Sequence, residues 1–269
     1  MPTFRKYHGL GNDFIVLDER ESGHLIDSEL AKRLCDRHRG IGADGVLTIL
    51  PSRTSDADSR LHIWNSDGSV AAMCGNGLRC VVSYLGEAEH IFDTDSGLRK
   101  GYLVSEEMVR VSVGHPKISE AVEEIELEDQ TLRGLRVDMG NPHFVLAPVD
   151  DRSTAIAHAK QFGAALEHHK TFPDRSNIEF LAWDSERLSV IVHERGAGLT
   201  QACGTGAGAS FAALSTLLPG LSRDRILVSL LGGDLTVDEE EGEIFIEGPA
   251  KFVFSGEIRF PREVRSIMR

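Results

Sequence analysis

The sequence predicts a mixed α/β (α+β) protein built as two pseudo-symmetric lobes from an internal duplication. Three observations carry that prediction. The segments NSDGSVAAMCGNG and ERGAGLTQACGTG place Cys74 nine residues after Asn65 and Cys203 nine residues after Glu194. Cys203 follows Cys74 by 129 residues, and the segment beginning at Gly140 (GNPHFVL) follows the one beginning at Gly11 (GNDFIVL) by the same 129. The chain, at 269 residues, is long enough for two lobes of about 130 residues, each able to close a core.

The elements follow in order. Residues 4–8 and 12–18 read as strands around a Gly-Leu-Gly turn. Asp27 or Ser28 caps a helix running to about His38, with Leu30, Leu34 and Cys35 on one face. Val46–Leu50 and Arg60–Trp64 are strands flanking the polar loop Ser52–Ser59. Cys74-Gly75-Asn76-Gly77 is a turn feeding a helix over Leu78–Leu85, and Ile91–Val113 is a meander turning at Ser96-Gly97. Gly114-His115-Pro116 and the acidic stretch Glu120–Asp129 break the pattern, which puts the boundary between lobes 1–118 and 119–269. The final C-terminal segment is free to pack back on the first lobe. Arg133–Pro148 carries the second Gly-Asn strand, and Thr154–His169 is an amphipathic helix matching that at 27–38. Asn177–Trp183 and Leu188–His193 are strands. Cys203-Gly204-Thr205-Gly206 feeds a helix over Ala207–Leu218 whose small apolar residues, found almost all round, predict burial at a lobe centre. Ile226–Leu231, Asp234–Asp238 and Glu243–Glu247 complete the second sheet.

Composition narrows the function. Forty-two acidic against 29 basic residues give a net charge of −13, which excludes nucleic acid and anionic membrane as partners. The start MPTFRKYHGLGNDF has no apolar run of signal-peptide length, and Gly206–Leu218 is too short to span a bilayer. A cytoplasmic protein with reduced thiols is expected. The four cysteines, 35, 74, 80 and 203, include no C-x2-C pair, so no structural metal is expected.

The two repeated cysteines point to acid–base chemistry. A helix start leaves backbone N–H groups unpaired and carries partial positive charge, which favours the thiolate of a cysteine placed there. The same N–H groups hold a carboxylate, and the following glycine lets the backbone approach it closely. Two such starts facing each other supply a base on one face of a carbon, an acid on the other, and donors for the carbanion between them. No cofactor is called for. Cys35 and Cys80 sit inside helices and read as core thiols. Asp13, Asp44 and Asp67 read as turn anchors beside glycines.

GNDF, NSDGSVAAMCGNGLRC, GNPHFV and ERGAGLTQACGTGA together resemble the motif set of the diaminopimelate epimerases, in order and over most of the chain. The resemblance implies two lobes, each a curved, mostly antiparallel sheet around a central helix. It implies a cofactor-independent isomerase interconverting LL- and meso-diaminopimelate, on the route to lysine and peptidoglycan precursors, and a homodimer. By position it implies Cys74 and Cys203 as the catalytic pair, and the backbone of Gly75, Asn76, Gly204 and Thr205 on the reacting carboxylate. Asn12, Asn65, Asn141, Asn177, Glu194 and Arg195 match ligands for the amino groups and far carboxylate. His143 and Glu194 match groups that tune the cysteines. Where some members carry Gln after Gly-Ala-Asp, this chain has Gly45.

Three rival readings share parts of this pattern: a proline- or histidine-racemase-like enzyme on the same fold, a phenazine-biosynthesis-type isomerase lacking the cysteine pair, and a non-catalytic amino-acid-binding or thiol redox protein. Arg195, able to grip a carboxylate with two parallel N–H donors, and the polar set around it favour a substrate with a second amino-carboxylate end.

Overall fold

A computed structural model describes residues 2–21, 26–86, 88–127, 130–184, 186–221 and 224–259. The first repeat contains β1 (Thr3–Gly9), β2 (Asn12–Asp18), α1 (Ser28–Cys35), β3 (Gly45–Leu50), β4 (Ser59–Asn65), β5 (Val70–Ala71), α2 (Gly75–Leu85), β6 (His90–Thr94), β7 (Gly97–Leu103) and β8 (Met108–Gly114). β9 (Lys117–Ile118) and β10 (Glu123–Leu127) follow. The second repeat contains β11 (Gln130–Asp138), β12 (Pro142–Leu146), α3 (Arg152–Glu167), β13 (Asn177–Trp183), β14 (Arg187–Glu194), β15 (Gly198–Leu199), α4 (Gly204–Leu217), β16 (Arg225–Ser229), β17 (Asp234–Glu240) and β18 (Glu243–Pro249), with β19 (Lys251–Glu257) last.

Hydrogen-bonded neighbours run β19-β1-β2-β3-β4-β6-β7-β8 in one lobe and β11-β12-β13-β14-β16-β17-β18 in the other, and β8 pairs β18 where they meet. Pairing is antiparallel except at β2–β3 and β4–β6, and at their counterparts β12–β13 and β14–β16. The crossovers that bring these parallel strands together carry the helices, α1 and α2 in the first lobe and α3 and α4 in the second. The strand after each repeat crosses to the other lobe: β9 pairs β11, and β19 pairs β1. The two lobes are therefore tied three times through backbone hydrogen bonds.

Local chemistry explains the helix limits. Asp27 caps α1 by accepting from Leu30 N at 2.8 Å, and Asp151 caps α3 by accepting from Thr154 N at 3.0 Å. α1 ends at Cys35, short of His38, because Asp36 leaves helical geometry (ψ 116°) and its carboxylate accepts from the His38 and Arg39 N–H groups instead. The Gly114–Asp129 stretch is more ordered than its composition suggests. Lys117–Ile118 and Glu123–Leu127 are strands, the latter through alternation around buried Ile125, while residues 128–129 lie outside the described part. The tail from 260 onward also lies outside it.

The two central helices hold the core together. α2 buries every residue from Gly75 to Val82, and α4 every residue from Gly204 to Leu214. Both contribute to one continuous cluster that includes Leu47, Leu78, Val82, Val113, Val192, Phe211 and Ile246. Separate clusters lie under α3 and α1. Among the described residues no helix is long and apolar enough to cross a membrane.

Candidate active site

Cys74 and Cys203 are each the N-cap of their lobe's central helix. Gly77 N donates to Cys74 Sγ and Gly206 N donates to Cys203 Sγ, both at 3.4 Å. The duplication is thus exact at the level of one hydrogen bond. The helix starts touch: a Cβ on Gly204 would sit 3.1 Å from Gly75 Cα, and one on Gly75 would sit 3.3 Å from Gly204 Cα. Only glycine at both positions permits this approach. The Asn76 side chain also spans the lobes, donating to Ala202 O at 2.9 Å and to Asn12 Oδ1 at 3.1 Å. Asn76, expected near the substrate, therefore spends its buried side-chain amide on joining the lobes, while its backbone N–H acts on Cys74 Sγ.

Around this contact the lobes differ. Beside Cys74, Asn12 Oδ1 lies 4.0 Å from the sulfur, and Asn12 Nδ2 donates to Asp44 at 2.8 Å. Arg37 and Lys6 pair with Asp13, and Arg37 also reaches Asp44, so these aspartates anchor the loop that carries Asn12. Beside Cys203, Thr205 Oγ1 is 3.5 Å from the sulfur, Asn141 Nδ2 donates to that hydroxyl at 3.4 Å, and Asn141 Oδ1 faces His143 Nε2 at 3.1 Å. His143 Nδ1 meets Glu179 Oε1 at 2.6 Å, with both side chains fully buried. His143 corresponds to Phe14, 129 residues earlier, and by strand register Glu179 corresponds to Leu47, 132 residues earlier. A Cβ on Gly206 would meet Glu179 just as one on Gly77 would meet Leu47.

Glu179 was not among the sequence-read site residues. It sits within an apolar strand, and its only signal was being the one charge in NIEFLAW. Burial raises its carboxyl, with His143 pulling it back.

The thiols depart from the sequence expectation. The helix-start donors act in the expected direction, but burial outweighs them. It pushes Cys74 up to about 11, against the pull of Gly77 N–H and Arg79, and pushes Cys203 well above its ordinary value, with Glu194 adding to the rise. Glu194 accepts from Thr200 Oγ1 at 2.5 Å and hydrogen-bonds Cys203, and burial raises its own carboxyl.

The other residues read from the sequence are held by neighbours of their own. Arg195 is exposed, its backbone N–H held by Asn177 Oδ1 at 2.9 Å and its guanidinium donating to Asp174 O at 3.4 Å. Asn177 also donates to Pro142 O at 3.0 Å, so its amide is committed to fixing backbone. Asn65 is exposed and donates to Ser69 Oγ at 2.9 Å. Gly45 lies in β3, where a side chain would run into Trp64 O, so the family's occasional glutamine contact has no room in this backbone.

Known proteins share this architecture. The family model for diaminopimelate epimerase matches residues 4–119 and 135–253. A diaminopimelate epimerase from Gloeothece citriformis is 41% identical, covering 94% of this chain and 97% of the relative. One from Carboxydothermus hydrogenoformans is 42% identical, covering 94% and 98%. Among solved structures, a probable proline racemase from Agrobacterium radiobacter aligns with TM-score 0.72 at 16% identity over 97% of this chain and 94% of its own. A PhzF-family phenazine biosynthesis protein from Bacillus anthracis aligns with TM-score 0.72 at 17% identity, over 96% and 99%. These distant structures share the fold.

Proposed function

We propose, for a chain that belongs to the diaminopimelate epimerase family, that Cys74 and Cys203 invert one α-carbon of diaminopimelate, interconverting the LL and meso forms without a cofactor. The enzyme is an isomerase. The observation that carries the mechanism is the contact between Gly75 and Gly204, which brings two cysteine-capped helix starts to one point.

The substrate's reacting carboxylate takes the first-turn N–H groups of both helices, which have no carbonyl acceptor inside the helix. One sulfur, as thiolate, removes the α-proton and becomes a thiol. The charge left behind spreads onto the carboxylate, where the two helix starts stabilise it. The other sulfur, as thiol, gives its proton to the opposite face and becomes a thiolate. Atoms and charge balance within the pair, and the roles exchange with substrate handedness. Arg195 reaches the far carboxylate, with Asn65 and Asn141 toward the amino groups. Glu194 hydrogen-bonds Cys203 and takes up or returns its proton between turnovers.

The same reading makes each repeat one functional lobe and places a homodimer in the cytoplasm, where its four free thiols stay reduced. The test is chiral chromatography of LL-diaminopimelate and of L-proline after incubation with purified protein. Conversion of the first to the meso form, with proline unchanged, is expected. Racemisation of proline in its place overturns the substrate reading.

A further inference from the structure

Arg79 is fully buried, five residues after Cys74 in α2. Its guanidinium donates to Asn76 Oδ1 at 2.9 Å, to Pro249 O at 3.4 Å and to Gly75 O at 3.5 Å. No ion pair to a carboxylate is found for it among the described residues. An arginine buried on neutral acceptors alone is costly, and the duplication shows that the fold does not require it. The residue 129 later is Gly208, whose missing side chain is filled by Val113, Ile244 and Met139. The second lobe instead has carboxylates around its cysteine, Glu179 and Glu194, where the first has Leu47 and Asn65. A cation without a counter-ion thus stands behind one thiol of the pair, and anions stand behind the other.

We propose that Arg79 is a positioning residue that makes Cys74 the resident thiolate of the pair and leaves Cys203 the resident thiol. It acts in two ways. Its charge favours an anion at the end of its own helix. Its N–H on Asn76 Oδ1 fixes that amide so that Nδ2 faces Asn12 and Ala202, holding the Asn12 carbonyl oxygen by Cys74 and the second helix start in place. Arg79 and Glu194 are the charged groups that act most on Cys74, Cys80 also interacts with it, and Cys74 and Cys80 act on Arg79. Burial pushes Cys80 up to about 12, so it stays a thiol. The free enzyme is therefore poised for the isomer whose α-hydrogen faces Cys74, and the opposite isomer binds productively only after a proton moves from Cys203 to Cys74.

This inference rests on the two-thiol reading above, but its test does not depend on turnover. In free enzyme, the pH dependence of alkylation at each cysteine is followed by peptide mass spectrometry for the natural protein, Arg79→Met and Arg79→Lys. The midpoint, not the rate, is compared, because Cys74 is more accessible than Cys203. Cys74 is expected to have the lower midpoint. Arg79→Met should raise it by about one unit or more, which is about tenfold less thiolate at a given pH below it, and Arg79→Lys should keep most of it. An unchanged Cys74 midpoint in folded Arg79→Met, or equal shifts in Met and Lys, overturns the proposal. A second measurement needs no change at Arg79: the first step of ultraviolet thiolate absorbance should vanish in Cys74→Ala and persist in Cys203→Ala. The reverse pattern overturns it. If these titrations come out as expected while diaminopimelate is not inverted, the substrate reading fails and the role of Arg79 stands.

Discussion

Gly204→Ala tests the contact between the helix starts with a single methyl group. Neither Gly204 nor Gly75 has a left-handed backbone, so alanine is conformationally permitted in both helices and its effect is steric. The added Cβ would lie 2.9 Å from Ile246 Cδ1 and 3.1 Å from Gly75 Cα. The first clash is with the end of a flexible side chain and is relieved by rotation. The second is with backbone at the start of the opposite helix. Carbon pairs settle at about 3.5–4.0 Å, so relief separates the two helix starts by roughly half an ångström. Overpacking of this kind costs about 1–3 kcal/mol of stability. The catalytic loss should be larger than that suggests. A misplacement of about 1 Å costs on the order of 10²-fold, so half of it costs about tenfold in kcat. The assay is kcat and KM for diaminopimelate, with a urea unfolding curve on the same preparation. Gly204→Ala combined with Ile246→Val separates the causes, because the valine lacks Cδ1. Activity should stay low in the double variant. Activity within twofold of the natural enzyme in Gly204→Ala, or full recovery on adding Ile246→Val, would refute the idea that backbone contact between the helices sets the spacing of the two thiols.

Other predictions concern separate parts of the site. Glu179→Leu leaves buried His143 without its partner and should cost about 3–5 kcal/mol in unfolding free energy, as removing one member of a buried pair does. His143→Phe together with Glu179→Leu recreates the Phe14/Leu47 combination of the first lobe and should recover much of that stability but not the activity; a double variant less stable than the single one would contradict the lobe equivalence. Arg195→Lys should lower kcat/KM for diaminopimelate strongly, because an ammonium cannot reproduce the planar fork on a carboxylate, and an unchanged value would remove Arg195 as the far-end anchor. Burial opposes ionisation of Asp13, but Arg37 and Lys6 outweigh it and hold its carboxyl down at about 2. A group depressed in the folded state contributes stability above its unfolded value, and that contribution is lost as pH falls through the folded one. Its share, about 1–2 kcal/mol after allowing for partial exposure, should therefore disappear between about pH 4 and pH 2, and an acid unfolding curve of Asp13→Asn should lack that step.

Much of the fold was legible because duplication writes the same local chemistry twice. Cys-Gly-x-Gly at a constant offset marked both central helices, and the paired Gly-Asn segments marked β2 and β12. β19 was not read as a strand, because Lys251–Glu257 has no alternation to detect: nearly all of it is exposed, and only its pairing with β1 makes it a strand. The acidic run before β11 reads as a break for a related reason. Three glutamates surround one buried isoleucine in β10, and that isoleucine is enough. In the site, residues belonging to motifs could be named in advance, whereas Glu179 and Arg79 could not. Their meaning comes from burial and from what the other lobe holds at the same place. Asn76 and Asn177 were legible as residue types, but not their engagements, since which atoms an amide bonds depends on backbone brought in from over a hundred residues away for Asn76, and from Pro142 in β12 and Arg195 after β14 for Asn177. The thiol shifts were missed in sign because a helix start is visible in sequence and the depth at which it is buried is not.

The central claim is that two different thiols handle the two faces of one carbon. The direct test is the reaction of LL-diaminopimelate in deuterated buffer, stopped at low conversion, with isotope content read separately in the meso product and in the remaining LL substrate. The natural enzyme should put deuterium on the inverted carbon of nearly every product molecule, because the donating thiol carries a solvent-derived proton, while the remaining substrate stays largely protiated. Cys74→Ala and Cys203→Ala should each lose at least about 10²-fold in inversion rate, the lower range for removing a positioned acid or base. Product that keeps the substrate's own hydrogen, or near-normal inversion by either single variant, would contradict a two-thiol mechanism.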